Sequence, residues 1–135
     1  MRALVVDDSR TMRTILSRIL VALGADVDLA EDAPAALDRL DDNTVPDIAL
    51  VDWHMPGMNG LELVRAVRAQ DRYASMFIMM VTTEGEPEQI VAALAAGADE
   101  YIVKPFTAQA IAEKLSLLDF DGGRTPACSW AEGSA

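Results

Sequence analysis

Short apolar runs alternate with longer amphipathic segments along the whole first part of the chain. "ALVVD" (Ala3 to Asp7) is a four-residue apolar run closed by an acid, as a short buried strand would be. In "SRTMRTILSRILVALG", which follows, Met12, Ile15, Leu16, Ile19, Leu20 and Leu23 recur at three- and four-residue steps and predict one helical face. Ser9 is placed to cap that helix, and Gly24 to end it in a left-handed conformation. "DVDLA" then alternates, Val27 and Leu29 against Asp26 and Asp28, which suits a half-buried edge strand.

The same alternation repeats three more times. "DAPAALDRL" predicts a second helix with Asp32 near its start and Pro34 tolerated in the first turn. Pro46 to Val51 reads as the third strand, and Gly60 to Arg68 as a helix burying Leu63, Val64 and Val67. "MFIMMVT" is apolar throughout, as expected of a strand covered on both faces of a parallel sheet. "EPEQIVAALAAG" predicts a helix opened by Pro87 and closed by Gly97; "EYIV" a fifth strand; "TAQAIAEKLSLL" a fifth helix capped by Thr107. Five strand–helix units predict an α/β fold, a doubly wound parallel sheet with helices on both faces. After Leu118 the periodicity stops. "DFDGGRTPACSWAEGSA" is read as a flexible tail, with residues 1–119 as the folded domain and 120–135 outside it. Trp130 is unusual in such a segment, and its role is left open.

Composition narrows the functional classes. Of 135 residues, 51% are hydrophobic and 24% charged, the balance of one globular domain. "MFIMMV" is too short to span a bilayer, and "MRALVVDD" has no signal-peptide apolar region, so a cytoplasmic protein is expected. Cys128 is the single cysteine, which excludes a disulfide framework and a thiolate metal cluster. The formal net charge of −11 repels phosphate backbones and anionic membranes, so neither nucleic acid nor membrane is an expected partner.

Open α/β sheets bind ligands at the carboxyl ends of their strands. The predicted strand ends deliver Asp7 and Asp8, Asp52, Thr82 and Thr83, and Lys104 before Pro105. Three converging carboxylates repel one another unless a cation joins them or a proton is taken up. A small hard divalent ion with oxygen ligands, Mg²⁺, is the natural partner. Lys104 and a threonine hydroxyl would then suit the oxygens of a phosphoryl group, and a carboxylate can itself be the nucleophile. Alternation lets only one of Thr82 and Thr83 face the site. Bland readings compete: Asp7 and Asp8 as a strand end and helix cap, Lys104 as a solvated lysine, the seven methionines as core filler.

The motifs "VVDDS", "LVDWHMPGMNG", "MMVTTEG" and "GADEYIVKPF", in this order and each at a strand end, resemble the receiver domains of two-component response regulators. The resemblance covers Met1 to about Leu118 and lies nearest the single-domain regulators of chemotaxis. It implies a flavodoxin-like sheet of order 2-1-3-4-5 with five helices. It implies Asp52 as phosphoacceptor, loaded from a phosphohistidine of a sensor histidine kinase. It further implies Mg²⁺ held by Asp7, Asp8, Asp52 and the backbone carbonyl of His54. Thr82 and Lys104 would engage the phosphoryl group, Thr82 and Tyr101 would form the switch, and the Lys104–Pro105 bond would be cis. Within the bland reading, Tyr101 would be mere packing in an edge strand.

His54 replaces the asparagine expected in near relatives. A zinc-ligand role is disfavoured by the surrounding oxygen donors. His54 and Glu84 are instead expected to flank the site and set water access, and Trp53 to be a partly exposed reporter. The expected function is a stand-alone, monomeric response regulator with no turnover of an external substrate. Its target would be a protein reached through the face of the fourth helix, fifth strand and fifth helix, with the flagellar motor switch as one candidate. A phosphate sink, a phosphorelay intermediate or a regulator of another kinase are alternative roles. A haloacid-dehalogenase-type phosphatase would want DxD where the chain has "DDSRT", and a flavin module would want a neutral phosphate loop there.

Overall fold

The computed structural model describes residues 1–42, 44–83 and 85–116. Glu84 and the expected tail 120–135, with Cys128 and Trp130, lie outside the described residues. Five strands, β1 (Arg2–Val6), β2 (Asp26–Ala30), β3 (Ile48–Val51), β4 (Phe77–Thr82) and β5 (Glu100–Val103), form one parallel sheet of order β2-β1-β3-β4-β5. Between and after them run α1 (Arg10–Ala22), α2 (Ala33–Asp42), α3 (Gly60–Arg68), α4 (Pro87–Ala96) and α5 (Ala108–Ser116). A single 3₁₀ turn at Asp71–Tyr73, which periodicity had not suggested, precedes β4. Among the described residues no helix is long and apolar enough to cross a membrane.

Strand alternation divides the interior into two cores. Leu4, Val6, Ala49, Val51, Ile78, Met80 and Tyr101 face α2, α3 and α4. Ala3, Val5, Ile48, Leu50, Phe77, Met79, Val81 and Ile102 face α1 and α5. Every residue of β3 and β4 is buried, as a central parallel strand requires. Met55, Met76, Met79 and Met80 are core residues.

The helix ends follow the expected chemistry. Ser9 accepts the Met12 N–H, Asp32 the Ala35 N–H and Thr107 the Ala110 N–H, each satisfying a first-turn donor. Asn59 and Glu62 close a capping box on α3. Gly24 and Gly97 have φ of 92° and 121° just past α1 and α4.

Three expectations about burial and boundaries are corrected. Of the predicted α1 face only Leu16 and Leu20 are buried, Met12 and Ile19 half so; Ile15 and Leu23 are 40% and 44% exposed. Ile15 lies about 100° round the helix from Leu16, at the margin of the buried stripe. Leu23 sits past the last turn, at the helix cap. In β2 Val27 is half-buried against the α1 core while Leu29 stays exposed, so the two positions of the expected apolar face are not equally covered. β3 starts at Ile48 rather than Pro46, although Asp47 still bonds to Arg2 and Phe77 through its backbone.

Candidate functional site

The sheet's carboxyl edge gathers the candidate residues. Asp7 follows the last residue of β1 and its N–H still donates to Ala30 (3.1 Å); Asp52 follows β3 and donates to Val6 (2.9 Å). Both backbones are thus held by the sheet at the point where their side chains reach its end. Asp7 and Asp52 are 1% and 7% exposed, whereas Asp8 is exposed. One carboxylate oxygen from each of the three lies within 4.8 Å of the others.

Lys104, in the turn after β5, sends Nζ to 2.9 Å from Asp7 Oδ2 and 3.5 Å from Asp52 Oδ2. The other oxygen of Asp7 accepts the Ser9 N–H at 2.9 Å, and its carbonyl accepts Arg13 Nη1 at 2.7 Å. Thr82 hydrogen-bonds to the Asp52 carboxylate through its side chain. Thr82 is fully buried and Thr83 exposed, so the strand resolves which threonine faces the site. The Lys104–Pro105 bond is cis.

The loop after β3 explains its glycines. A Cβ on Gly60 would fall on the Asp52 carbonyl oxygen, so α3 can begin this close to the site only with glycine there. The Gly60 N–H donates to Trp53 O at 2.8 Å, and Gly57 turns the loop with φ of 77°.

Negative charge predominates in the cluster. Burial, and after it the negative charge of Asp7, push the Asp52 carboxyl above the ordinary value of 3.8; Lys104 and the Thr82 hydrogen bond act in the opposite direction. Three carboxylates face one ammonium group. Their donor set, all oxygen, fits a hard divalent cation, which would offset the remaining charge. His54 is exposed and is not part of this carboxylate cluster.

The sequence of residues 3–116 matches the family described as Response regulator receiver domain. The chain is a receiver domain of that family. It is 48% identical over 119 residues to chemotaxis protein CheY1 of Helicobacter pylori, covering 87% of this chain and 96% of the relative. It is 52% identical over 116 residues to the CheY homolog of Campylobacter jejuni, covering 85% and 89%. The structure of the chemotaxis response regulator CheY4 of Vibrio cholerae superposes with a TM-score of 0.80 at 36% identity, covering 85% of this chain and 95% of that one.

Within this receiver domain, the structure brings Asp7, Asp8, Asp52, Thr82 and Lys104 together as their strand-end positions suggested. Tyr101 is buried one strand away, in the core shared with α4. It pairs laterally with Met80, so it shares a sheet face with Thr82, two residues further along β4. Trp53 is half-buried against the same core. Two contacts had no signal in the sequence: the Arg13 bond to the Asp7 carbonyl, and the close approach of Gly60, the last residue of the LVDWHMPGMNG motif, to the Asp52 carbonyl.

Proposed function

We propose that this receiver domain is a stand-alone response regulator, a phosphorylation-operated switch rather than an enzyme turning over an external substrate. The observation that carries it is the meeting of a buried carboxylate, Asp52, with Lys104 at 3.5 Å, a Thr82 hydrogen bond and the Asp7–Asp8 pair at one sheet edge. An Asp52 carboxylate oxygen attacks the phosphorus of a phosphohistidine on a sensor histidine kinase. The P–N bond breaks, its electron pair stays on the imidazole nitrogen, and that nitrogen takes up a proton. Lys104 holds the negative charge that collects on the phosphoryl oxygens, and Thr82 transfers its hydrogen bond from the carboxylate to one of them. Asp7, Asp8, Asp52 and the His54 carbonyl would hold Mg²⁺, which when bound neutralises charge on the transferring group.

The added charge biases a two-state surface. Thr82 and Tyr101, on one face of the sheet, are the elements we assign to that switch. The output surface is the one made by α4, β5 and α5, where Val91 and Val103 are exposed. Its partner is a protein; the strongly acidic chain favours neither nucleic acid nor membrane. The likeness to proteins named for chemotaxis supports a role there, with the flagellar motor switch as target. We take residues 1–119 as the receiver unit, monomeric and cytoplasmic.

The test is direct. Wild-type protein mixed with Mg²⁺ and acetyl phosphate is expected to gain the mass of one phosphoryl group, and to lose that gain when EDTA is added first. An unchanged intact mass overturns the reading.

His54 and Glu84 are assigned to controlling water access to the aspartyl phosphate. Because His54 is exposed on the loop two residues past Asp52, a smaller side chain there admits water more readily. His54→Asn is expected to shorten the phosphoryl lifetime severalfold in a chase after chelation. Equal decay rates would remove His54 from this role.

A further inference from the structure

Asp7 lies one residue past the paired region of β1, whose ladders end at Val6 opposite Ala30 and Val51. Its carbonyl oxygen points to the first turn of α1 and accepts Nη1 of Arg13 at 2.7 Å, a short charge-assisted bond. Arg13 also donates its backbone N–H to Ser9 O at 2.9 Å, so the same residue closes the first helical turn and reaches back to the strand end.

The carbonyl of Asp7 and the N–H of Asp8 belong to one planar peptide unit. Fixing that oxygen fixes the plane, and the plane sets the directions in which the Asp7 and Asp8 side chains leave the backbone. Asp7 has further restraints: the Ser9 N–H on Oδ1, Lys104 on Oδ2, and its own N–H on Ala30. Asp8 is exposed, and its direction depends on the backbone more than on packing. The site therefore needs something that holds the Asp7–Asp8 peptide, and Arg13 is the side chain that reaches it.

We propose that Arg13 is a positioning residue of the carboxylate site, holding the Asp7–Asp8 peptide so that both carboxylates meet Asp52 around a divalent cation. This rests on the Mg²⁺ reading above and extends it to a residue outside the ligand set. Groups behind metal ligands commonly alter affinity by about 10- to 100-fold when removed.

Charge and positioning predict opposite signs, which makes the inference testable. A guanidinium at the Asp7 carbonyl adds positive charge near the site and repels an incoming cation, so by charge alone deleting Arg13 would tighten Mg²⁺ binding. By positioning, deletion loosens the acidic pair and weakens it. A bond that only stabilises the fold would lower the melting temperature and leave affinity where it was.

Mg²⁺ titrations followed by Trp53 fluorescence and by calorimetry, beside melts in EDTA, separate these cases. Arg13→Ala is expected to weaken Mg²⁺ binding by about tenfold. Arg13→Met keeps the aliphatic stem while removing the donors, and carries the test if the alanine variant folds poorly. Arg13→Lys, which keeps a charged donor on a long stem, is expected to recover part of the affinity. Binding as tight as wild type or tighter in both Arg13→Ala and Arg13→Met overturns the inference, as does Arg13→Lys binding no better than Arg13→Met. A wild-type protein with no saturable Mg²⁺ response overturns the metal reading and this inference together, whereas wild-type binding with unchanged variants overturns this inference alone.

Discussion

Replacing Asp52 with asparagine should yield a protein that takes up no phosphoryl group and yet melts higher than wild type in the absence of metal. Loss of labelling follows from chemistry: an amide oxygen is a poor nucleophile and cannot form the acyl phosphate. The higher melting temperature follows from the environment of Asp52. It is buried, it faces the charge of Asp7, and together these push its carboxyl above 3.8 despite Lys104 and Thr82. In the folded state the ionised form is therefore disfavoured relative to the unfolded chain. Asparagine keeps the shape and an oxygen that can accept from Lys104 and Thr82, while Lys104 retains Asp7 at 2.9 Å.

A carboxyl whose folded value is raised contributes stability fully present below its unfolded value of 3.8, and that contribution is lost as pH rises through the folded value. Wild type carries this loss at neutral pH and the asparagine variant does not. The difference is expected to be about 1 kcal/mol at pH 7, the size common for a single substitution, or about 3–5 °C in a domain of this length. It should narrow as pH falls toward 3.8. Adding Mg²⁺ should raise the melting temperature of wild type more than that of the variant, because the cation stabilises whichever folded state binds it more tightly. Labelling of Asp52→Asn equal to wild type would remove Asp52 as phosphoacceptor. A lower metal-free melting temperature at neutral pH would show that hydrogen bonds to the carboxylate outweigh its burial and repulsion.

This pairing of lost function with gained stability bears on how the site can be seen in a sequence. Asp52 ends a run of four apolar residues, and nothing in the packing of β3 calls for an acid there. A residue that works against the fold's own energetics at a strand end signals chemistry, and so do Asp7 and Asp8. Strands and helices were legible for a similar reason: periodicity of two or of three to four reports burial directly, and caps such as Ser9 and Thr107 act within four residues of their own position. The sheet order was not readable from periodicity. It came with the resemblance to receiver domains, because which strands neighbour one another is decided by crossovers rather than by any local pattern.

What stayed hidden was long-range and charged. Arg13 meets the Asp7 carbonyl only because α1 turns back over the end of β1. Ile15 and Leu23 kept the helical spacing, yet Ile15 falls at the margin of the buried stripe and Leu23 lies past the last turn of α1. The need for glycine at position 60 depends on the Asp52 carbonyl approaching α3, a contact that no spacing rule contains. Arg68 is the plainest case. At the last turn of a helix, an arginine reads as a favourable partner of the helix dipole, and that is all its neighbours in sequence suggest.

In the structure Arg68 joins three parts of the chain. Its guanidinium donates Nε to Gly97 O at 2.8 Å, Nη1 to Tyr73 O at 2.8 Å, and Nη2 to Asp99 Oδ2 at 2.7 Å. Asp99 has a side chain only 2% exposed, and it also accepts the Ile78 N–H at 2.9 Å. One planar cation thus ties the end of α3 to the 3₁₀ turn, to the end of α4 and to the start of β5, at the sheet edge opposite the carboxylate site. Arg68→Ala is expected to lower stability by about 3–5 kcal/mol, because it leaves a buried carboxylate without its counter-charge. Arg68→Lys should recover only part, since an ammonium cannot match the fork that spans three acceptors. The control is Asp99→Asn combined with Arg68→Ala. With the buried charge removed as well, the double variant should lose less than the sum of the losses in Arg68→Ala and in Asp99→Asn alone, by about 1–3 kcal/mol of coupling. Urea unfolding of the four proteins measures this cycle. A loss below about 1 kcal/mol for Arg68→Ala, the range of an exposed ion pair, would show that water reaches Asp99 once the guanidinium is gone.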